Sequence, residues 1–181
     1  MAKKSELWEW VKILLIAAAL AAVIRFFLFT PIIVDGESMM PTLEDRDRMI
    51  VNKLSYKLGD IERFDIVVFK VSDKKDYIKR VIGLPGEFIE YKNDTLYVDG
   101  VAYDEPYLDD YKKEYQQIYM GGSLTPDFSY QVPEGHVFVM GDNRRFSRDS
   151  RDYTIGPISI EHILGKASII YWPIEDFKII N

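Results

Sequence analysis

The chain has 181 residues, of which 48% are hydrophobic and 29% are charged, so it is long enough for one compact domain and too apolar to be disordered. Its net charge of −6 argues against a nucleic-acid-binding protein, and the lack of cysteine excludes disulfides, thiol catalysis and cysteine-ligated zinc. The sequence carries no metal-binding motif, and we expect neither a metal ion nor a cofactor.

The first predicted element is an apolar segment from Ile13 to Val34, close to the ~20 residues needed to cross a bilayer. Lysines precede it and acidic residues follow it, which places the N-terminus in the cytoplasm. A cleaved secretion signal is the alternative, with a small-residue site at Ala17–Ala19, but the apolar run continues past these alanines. We therefore predict a cytoplasmic tip and a single transmembrane anchor in residues 1–30. Residues 31–181 would form an extracytoplasmic domain at the plasma membrane.

Ser38 follows this segment in the stretch GESMMPTL. A serine becomes an effective nucleophile when a neighbouring group takes its proton. The two histidines, His136 and His162, have no catalytic motif around them. Lys79 lies in the apolar, strand-like stretch YIKRVIGLPG, and a lysine removed from water can act as a general base near neutral pH. We predict a Ser38–Lys79 pair in which the lysine is largely neutral at working pH.

Short β-branched or aromatic runs separated by turn residues predict a mainly β domain after the anchor. The predicted strands are Arg48–Lys53, Asp65–Lys70, Tyr77–Ile82, Phe88–Tyr91, Thr95–Val98, His136–Met140 and Ala167–Trp172. The fourth and fifth of these form a predicted hairpin. Ser159–Leu164 is predicted as a short helical turn. Residues 104–130 differ in composition, and we predict a partly mobile insertion over one end of the sheet.

The sequence GDNRRFSRDSR, residues 141–151, follows the predicted strand that ends at Met140. Loops of this composition are usually solvated. The position directly after an apolar strand favours a buried turn with paired charges instead. We predict a fixed ion-pair network of Asp149 and Arg151 with Asp142.

Four stretches, in this order along the chain, resemble motifs of the bacterial type I signal peptidases, or leader peptidases: residues 38–43, 65–68, 79–86 and 141–151. The resemblance covers nearly the whole chain and is closest to the compact Gram-positive form. It implies a signal-peptidase or LexA-like β-sheet catalytic domain. It also implies a membrane-bound serine endopeptidase that removes signal peptides from exported preproteins after an Ala-x-Ala type site. The implied partners are signal peptides, the lipid bilayer and secretion machinery, without nucleic acid.

The resemblance also implies a role for each residue of the site. Ser38 would attack the scissile carbonyl and form an acyl-enzyme, while Lys79 takes the serine proton and later activates water. Ser147 would hydrogen-bond and orient the lysine amine. The remaining implied residues hold the loop behind the pair: Asp142, Asp149 and Arg151.

One position departs from part of this family, where a serine hydroxyl two residues before the nucleophile donates to the oxyanion. This chain has Gly36 there, so we expect the Ser38 backbone N–H to be one donor. The second donor is left open between the Gly36 N–H and a neighbouring main-chain N–H.

Shallow apolar pockets would select small residues at the −1 and −3 positions of the substrate. Family correspondence, and position beside the Ser–Lys pair, predict that they are lined by Ile32, Val34, Met39, Leu43, Tyr77 and Ile78. An ordinary core role is the alternative for each of these residues. As pocket residues they would border a groove that accepts an extended peptide by strand addition.

Three other functions were compared with this one. A self-cleaving repressor of the LexA type would need a DNA-binding helical domain, which the sequence does not show. A Ser-His-Asp hydrolase would use His136 or His162, but the Gly-x-Ser-x-Gly elbow is absent. A membrane-anchored binding module without chemistry would leave Lys79 in its apolar strand unexplained.

Overall fold

Two α-helices, twelve strands and three short 3-10 helices make up the regular structure of the described residues. The structure is a computed structural model that describes residues 2–53, 61–72 and 75–180, and in the first helix the side chains of residues 6–22. The helices are α1 (Ala2–Phe27) and α2 (Asp109–Ile118). The strands are β1 (Phe29–Ile33), β2 (Arg48–Asn52), β3 (Ile66–Ser72), β4 (Lys75–Gly83), β5 (Phe88–Lys92), β6 (Thr95–Val98), β7 (Val101–Tyr103), β8 (Phe128–Gln131), β9 (His136–Met140), β10 (Ile158–Ser159), β11 (Ile163–Trp172) and β12 (Lys178–Ile179).

The strands form two antiparallel sheets, which confirms the prediction of a mainly β domain. The larger sheet has the order β1-β2-β11-β3-β4-β9-β10, with β12 beside β11, and the smaller has the order β7-β6-β5-β8. The predicted hairpin is present as β5 and β6, in which Lys92 pairs with Thr95. Its two turn residues, Asn93 and Asp94, both have positive φ, which these residue types tolerate better than most.

Alternating apolar residues of the strands build the core, as period-two side-chain direction requires. Met49 and Val51 of β2 are buried while their neighbours are more exposed. They pack in one cluster with Val34 and Met39, which flank the Ser38 turn, and with Val68 of β3. Each buried side chain of this size contributes about 1.5–3 kcal/mol. The core therefore holds the Ser38 turn against the large sheet.

The predicted membrane segment Ile13–Val34 crosses a boundary between helix and strand in the structure. Helix α1 ends at Phe27, and β1 pairs antiparallel with β2. The predicted domain boundary at residue 30 therefore falls inside β1. Two isoleucines and a threonine favour the strand, and Pro31 is tolerated because β1 lies at the edge of the sheet.

Within the described part of the chain, no helix combines the length and hydropathy required to cross a membrane.

The predicted insertion, residues 104–130, contains helix α2, which the sequence analysis missed. None of the α2 residues is buried, and the helix is short and mostly polar, with Tyr111, Tyr115 and Ile118 as its one-sided apolar positions, so its periodic signal is weak. Asp109 and Asp110 lie in its first turn, where their negative charges interact favourably with the helix dipole and stabilise the helix. After the helix, the buried Asp94 carboxylate accepts hydrogen bonds from the Leu124 and Thr125 N–H groups, each 2.6 Å long. The segment is therefore attached to the small sheet.

The predicted helical turn at Ser159–Leu164 is a 3-10 turn, Ile160–His162, between β10 and β11. The predicted strand Ala167–Trp172 is the second half of β11, which begins at Ile163.

Candidate active site

Ser38 and Lys79, predicted from the sequence as a pair, lie within hydrogen-bond distance of each other. The Lys79 Nζ is 2.7 Å from the Ser38 Oγ. Lys79 belongs to β4 and pairs with Val67 of β3, whereas Ser38 lies in the turn segment between β1 and β2. A neutral amine at this distance can accept the hydroxyl proton. The ammonium form can instead donate to Ser38 Oγ and, at 2.8 Å, to the Ile78 carbonyl oxygen.

Burial changes the titration of Lys79, whose residue surface is only 3% exposed. Desolvation lowers the pKa of the ammonium from 10.5 to about 8, against the opposing effect of the Asp149 and Asp142 carboxylates. The sequence analysis predicted a largely neutral lysine, and a pKa of about 8 gives a mainly neutral amine only above that pH.

We expect activity to rise with pH and to level off above about pH 8, because a general base accepts a proton only in its neutral form and the pKa of Lys79, the predicted base, is about 8. The measurement is kcat/KM for a peptide substrate between pH 6 and pH 10, with folding checked by circular dichroism at each pH. An acidic limb near 10.5, the ordinary lysine value, would contradict a desolvated base.

The main chain around Ser38 is held by the loop that follows β9. The Asn143 N–H donates to the Ser38 carbonyl oxygen at 3.1 Å, and the Asn143 side-chain amide donates to the Glu37 carbonyl oxygen at 3.1 Å. Gly141 packs directly against the Ser38 carbonyl oxygen and the Ser147 side chain. A Cβ at this position would collide with both. A glycine is therefore required at this contact.

The two candidate oxyanion donors differ in the structure. The Gly36 N–H donates to the Asp45 carboxylate at 2.8 Å, so it is already engaged. No acceptor for the Ser38 N–H is found among the described residues. The Ser38 N–H is thus the donor that this conformation leaves available to a substrate.

The predicted ion-pair network is divided between two separate pairs. Asp149 accepts a two-point interaction from Arg151, with both N–O distances 2.8 Å, as predicted. Asp142 pairs instead with Arg80, at 2.9 Å to Nε and 2.6 Å to Nη2, which corrects the prediction that it joins the Asp149–Arg151 pair. The two pairs are separate because side chains alternate along a strand. Arg80 points to the opposite face of β4 from Lys79, and Asp142 meets it on that face.

Ser147 does not make the hydrogen bond to Lys79 that the family resemblance implied. The Lys79 Nζ is bonded to Ser38 Oγ and the Ile78 carbonyl oxygen. The buried Ser147 Oγ makes no hydrogen bond of good geometry within the described residues, although its hydroxyl lies near enough to Asp149 to help lower the pKa of that carboxyl. In this conformation it packs against Gly141 instead.

A groove of about 480 Å³ contains Ser38 and Lys79. Five of the six predicted pocket residues line it: Ile32, Val34, Met39, Tyr77 and Ile78. The sixth, Leu43, does not line the groove, because it is fully buried in the core cluster beneath the turn. The sequence analysis missed a polar and aromatic part of the lining that includes Asp35, Lys75, Asp76, Phe146 and Arg148.

The N-terminal half of β4 offers one edge to this groove. Residues 75–80 pair with β3 on one side, whereas β9 covers the other side of β4 only from Arg80 onward. Main-chain groups between Lys75 and Lys79 are therefore placed to pair with an added extended chain.

A buried ion pair that the sequence analysis did not predict supports the loop from beneath. Arg144 and Glu105 have fully buried side chains and an N–O distance of 2.6 Å. The Tyr91 and Tyr107 hydroxyls donate to the same carboxylate oxygen of Glu105, at 2.6 Å and 2.7 Å. Arg144 also donates to the Gly141 carbonyl oxygen, so the pair connects the predicted insertion to the active-site loop. No sequence signal relates positions 105 and 144.

A serine next to a buried lysine, in a groove beside a strand edge that no described strand covers, fits a serine endopeptidase on a mainly β fold. Comparison with known proteins agrees with this class. The family described as signal peptidase, peptidase S26, matches residues 7–172. The chain therefore belongs to the signal peptidase family, peptidase S26.

Individual relatives are similar over almost the whole chain. Signal peptidase I of Bacillus caldolyticus is 47% identical, with 97% of this chain and 94% of the relative covered. Signal peptidase IB of Staphylococcus aureus is 43% identical with the same coverage. The crystal structure of a signal peptidase I from Enterococcus faecalis has 38% sequence identity and a TM-score of 0.53, covering 60% of this chain and 97% of the other.

Proposed function

We propose that this chain is a signal peptidase I that removes N-terminal signal peptides from preproteins after an Ala-x-Ala type site, with Ser38 as nucleophile and Lys79 as general base. The observation that carries the assignment of roles is the 2.7 Å distance between Lys79 Nζ and Ser38 Oγ in the groove. Membership of the signal peptidase family, and relatives named signal peptidase I at 43–47% identity, support the substrate class.

The reaction proceeds in two stages. Ser38 Oγ bonds to the scissile carbonyl carbon as its proton passes to Lys79 Nζ, and the carbonyl oxygen becomes an oxyanion that accepts from the Ser38 N–H. Lys79 returns the proton to the leaving amine, the C–N bond breaks, and an ester remains on Ser38. Lys79 then takes a proton from water, whose oxygen attacks the ester carbonyl carbon. The bond from that carbon to Ser38 Oγ breaks as Lys79 gives the proton to Ser38 Oγ, which restores the serine and releases the signal peptide with a free carboxylate.

Specificity follows from an extended substrate in the groove. A chain paired with the edge of β4 points alternate side chains to the same side, so positions −1 and −3 face the enzyme while −2 faces away. Ile32, Val34 and Ile78 line the groove beside the reactive pair. An apolar lining of limited depth accepts alanine at these positions and rejects large side chains.

Helix α1 would place this reaction at the surface of a bilayer. It has 26 residues, which corresponds to about 39 Å of helix, and its exposed large apolar side chains include Leu7, Trp8, Trp10, Ile13, Leu14, Leu15, Ile16 and Leu20. We propose a single-pass plasma-membrane anchor with a cytoplasmic N-terminus and an extracytoplasmic catalytic domain that begins near β1, with residues 104–130 as an insertion. Retention in the membrane fraction after a carbonate wash tests the anchor, and release into the supernatant would rule it out.

The test of function is cleavage of a synthetic preprotein with an Ala-x-Ala site by the full chain in detergent. Mass spectrometry should find a single cut after the final alanine. Tryptophan at −1 should lower kcat/KM at least ~10²-fold because the groove cannot accept it, whereas tryptophan at −2 should have little effect. An equal loss of kcat/KM for tryptophan at −1 and for tryptophan at −2 would argue against the extended binding mode. Lack of cleavage by folded wild-type protein would favour a membrane-anchored binding module.

A further inference from the structure

We propose that Asn143 is a positioning residue for the oxyanion donor of Ser38, and that Tyr111 of helix α2 holds the Asn143 side chain in place. The proposal rests on the function proposed above, because it concerns the Ser38 N–H as an oxyanion donor. It assigns to the segment 104–130, through α2, a part in catalysis.

Asn143 contacts both peptide groups that flank Ser38. Its side-chain nitrogen donates to the Glu37 carbonyl oxygen at 3.1 Å, and its own N–H donates to the Ser38 carbonyl oxygen at 3.1 Å. The Glu37 carbonyl and the Ser38 N–H belong to one planar peptide unit. A hydrogen bond that fixes the direction of the carbonyl therefore fixes the direction of the N–H at the other end of the same unit.

The same contact affects the strength of the donor as well as its direction. The Glu37 carbonyl oxygen accepts from the Asn143 amide and from the Met40 N–H, at 3.1 Å and 3.2 Å. Hydrogen bonds to a carbonyl polarise the peptide group and make its N–H a stronger donor. Asn143 is only 5% exposed, so this interaction is shielded from water.

The orientation of the Asn143 amide is determined by its two partners. The Glu37 carbonyl can only accept, so the amide nitrogen must face it and the amide oxygen must face away. That oxygen accepts a hydrogen bond from the Tyr111 hydroxyl at 3.2 Å. Tyr111 lies in α2, so a continuous set of hydrogen bonds runs from this helix through Asn143 to the Glu37–Ser38 peptide.

The test compares the binding of two substrate-like peptides to wild type, Asn143→Ala and Asn143→Asp. In a peptide aldehyde, Ser38 Oγ adds to the carbonyl carbon, its proton passes to Lys79, and the aldehyde oxygen becomes the oxyanion. The matching peptide alcohol binds the same groove without forming an oxyanion. Both variants should lose kcat/KM and aldehyde affinity by a similar factor, about 10–100-fold, with alcohol affinity within about 2-fold of wild type.

The aspartate variant keeps the volume of the side chain and replaces its amide donor with a charged acceptor, so a loss of aldehyde affinity in this variant does not come from lost packing. Tyr111→Phe should lower kcat/KM by about 3-fold. Tyr115→Phe is the matched control on the same helix. The Tyr115 ring packs on the Tyr119 ring with a centroid distance of 4.4 Å, and this variant should have the kcat/KM of wild type.

Equal weakening of aldehyde and alcohol binding, or wild-type kcat/KM in both Asn143 variants, would overturn the positioning role while leaving the proposed function intact. A folded wild-type protein that cleaves no preprotein would overturn the proposed function and this inference with it.

Discussion

Replacing Lys79 with alanine is expected to lower kcat for preprotein cleavage by at least ~10³-fold, because the variant removes the proposed general base 2.7 Å from the proposed nucleophile. Ser38→Ala should reduce activity to the same residual level. The double variant should be no worse than either single one, since the two residues act as a unit. The measurement is single-turnover cleavage in detergent, with folding verified by circular dichroism.

Lys75→Ala is the matched control for Lys79→Ala. Lys75 lies four residues earlier on β4, lines the same groove, and its Nζ is 5.2 Å from the Tyr77 ring centroid, as is that of Lys79. It is exposed and is expected to retain kcat within about 3-fold of wild type, because surface charge changes have small effects. Retained cleavage in Lys79→Ala would assign the base to another group. Neither His136 nor His162 lines the groove. The alternative base would therefore have to take the Ser38 proton through a bound water molecule.

Arg144→Ala is expected to destabilise the protein by about 3–5 kcal/mol, because it leaves the Glu105 carboxylate buried without its main partner. Burial by itself would raise the pKa of Glu105, but Arg144 and the Tyr91 hydroxyl hold that pKa below its ordinary value. The carboxylate is therefore charged at neutral pH, and the cost of leaving it unpaired is large. The measurement is the free energy of unfolding from denaturant titration in detergent.

Three comparisons make this prediction specific. Arg145→Ala changes the adjacent arginine, which is exposed and lies over the Tyr115 ring at 5.6 Å, and should cost less than about 1 kcal/mol. Adding Glu105→Gln to Arg144→Ala should recover part of the loss by removing the unpaired charge. The contribution of the pair should also decrease as the pH falls below the ordinary pKa of a glutamate, since the folded-state pKa of Glu105 is lowered. The Lys112 ammonium lies 3.4 Å from the other Glu105 carboxylate oxygen. A loss below about 1 kcal/mol in Arg144→Ala would show that water or Lys112 compensates the charge of the carboxylate.

Much of the local structure could be predicted from sequence because it depends on neighbouring residues. Alternating β-branched and aromatic runs predicted β2, β3, β4, β9 and the β5–β6 hairpin close to their observed limits. Strand β1 and helix α2 were missed for opposite reasons. The strand continues the apolar composition of α1, and the helix buries none of its residues.

The proximity of Ser38 and Lys79 was also predictable, since a serine after an apolar segment and a lysine inside an apolar strand are unusual features that can be recognised one residue at a time. The structure brings these two residues together, although 41 positions separate them. Five of the six predicted pocket residues line the groove for a related reason. They are neighbours in sequence of Ser38 and Lys79, and Leu43 is the predicted residue that is buried in the core without lining the groove.

The sequence by itself thus determined the class of chemistry and the mainly β architecture, because residue type and periodicity carry that information locally. Only the tertiary structure decided which charges and amides meet. Asp142 pairs with Arg80 and not with its neighbours in the loop, because adjacent residues on β4 face opposite sides. Asn143 contacts Glu37 across 106 positions, a choice made by the packing of one loop on another. Such partners are selected by shape and burial in the folded chain, and no spacing along the sequence encodes them.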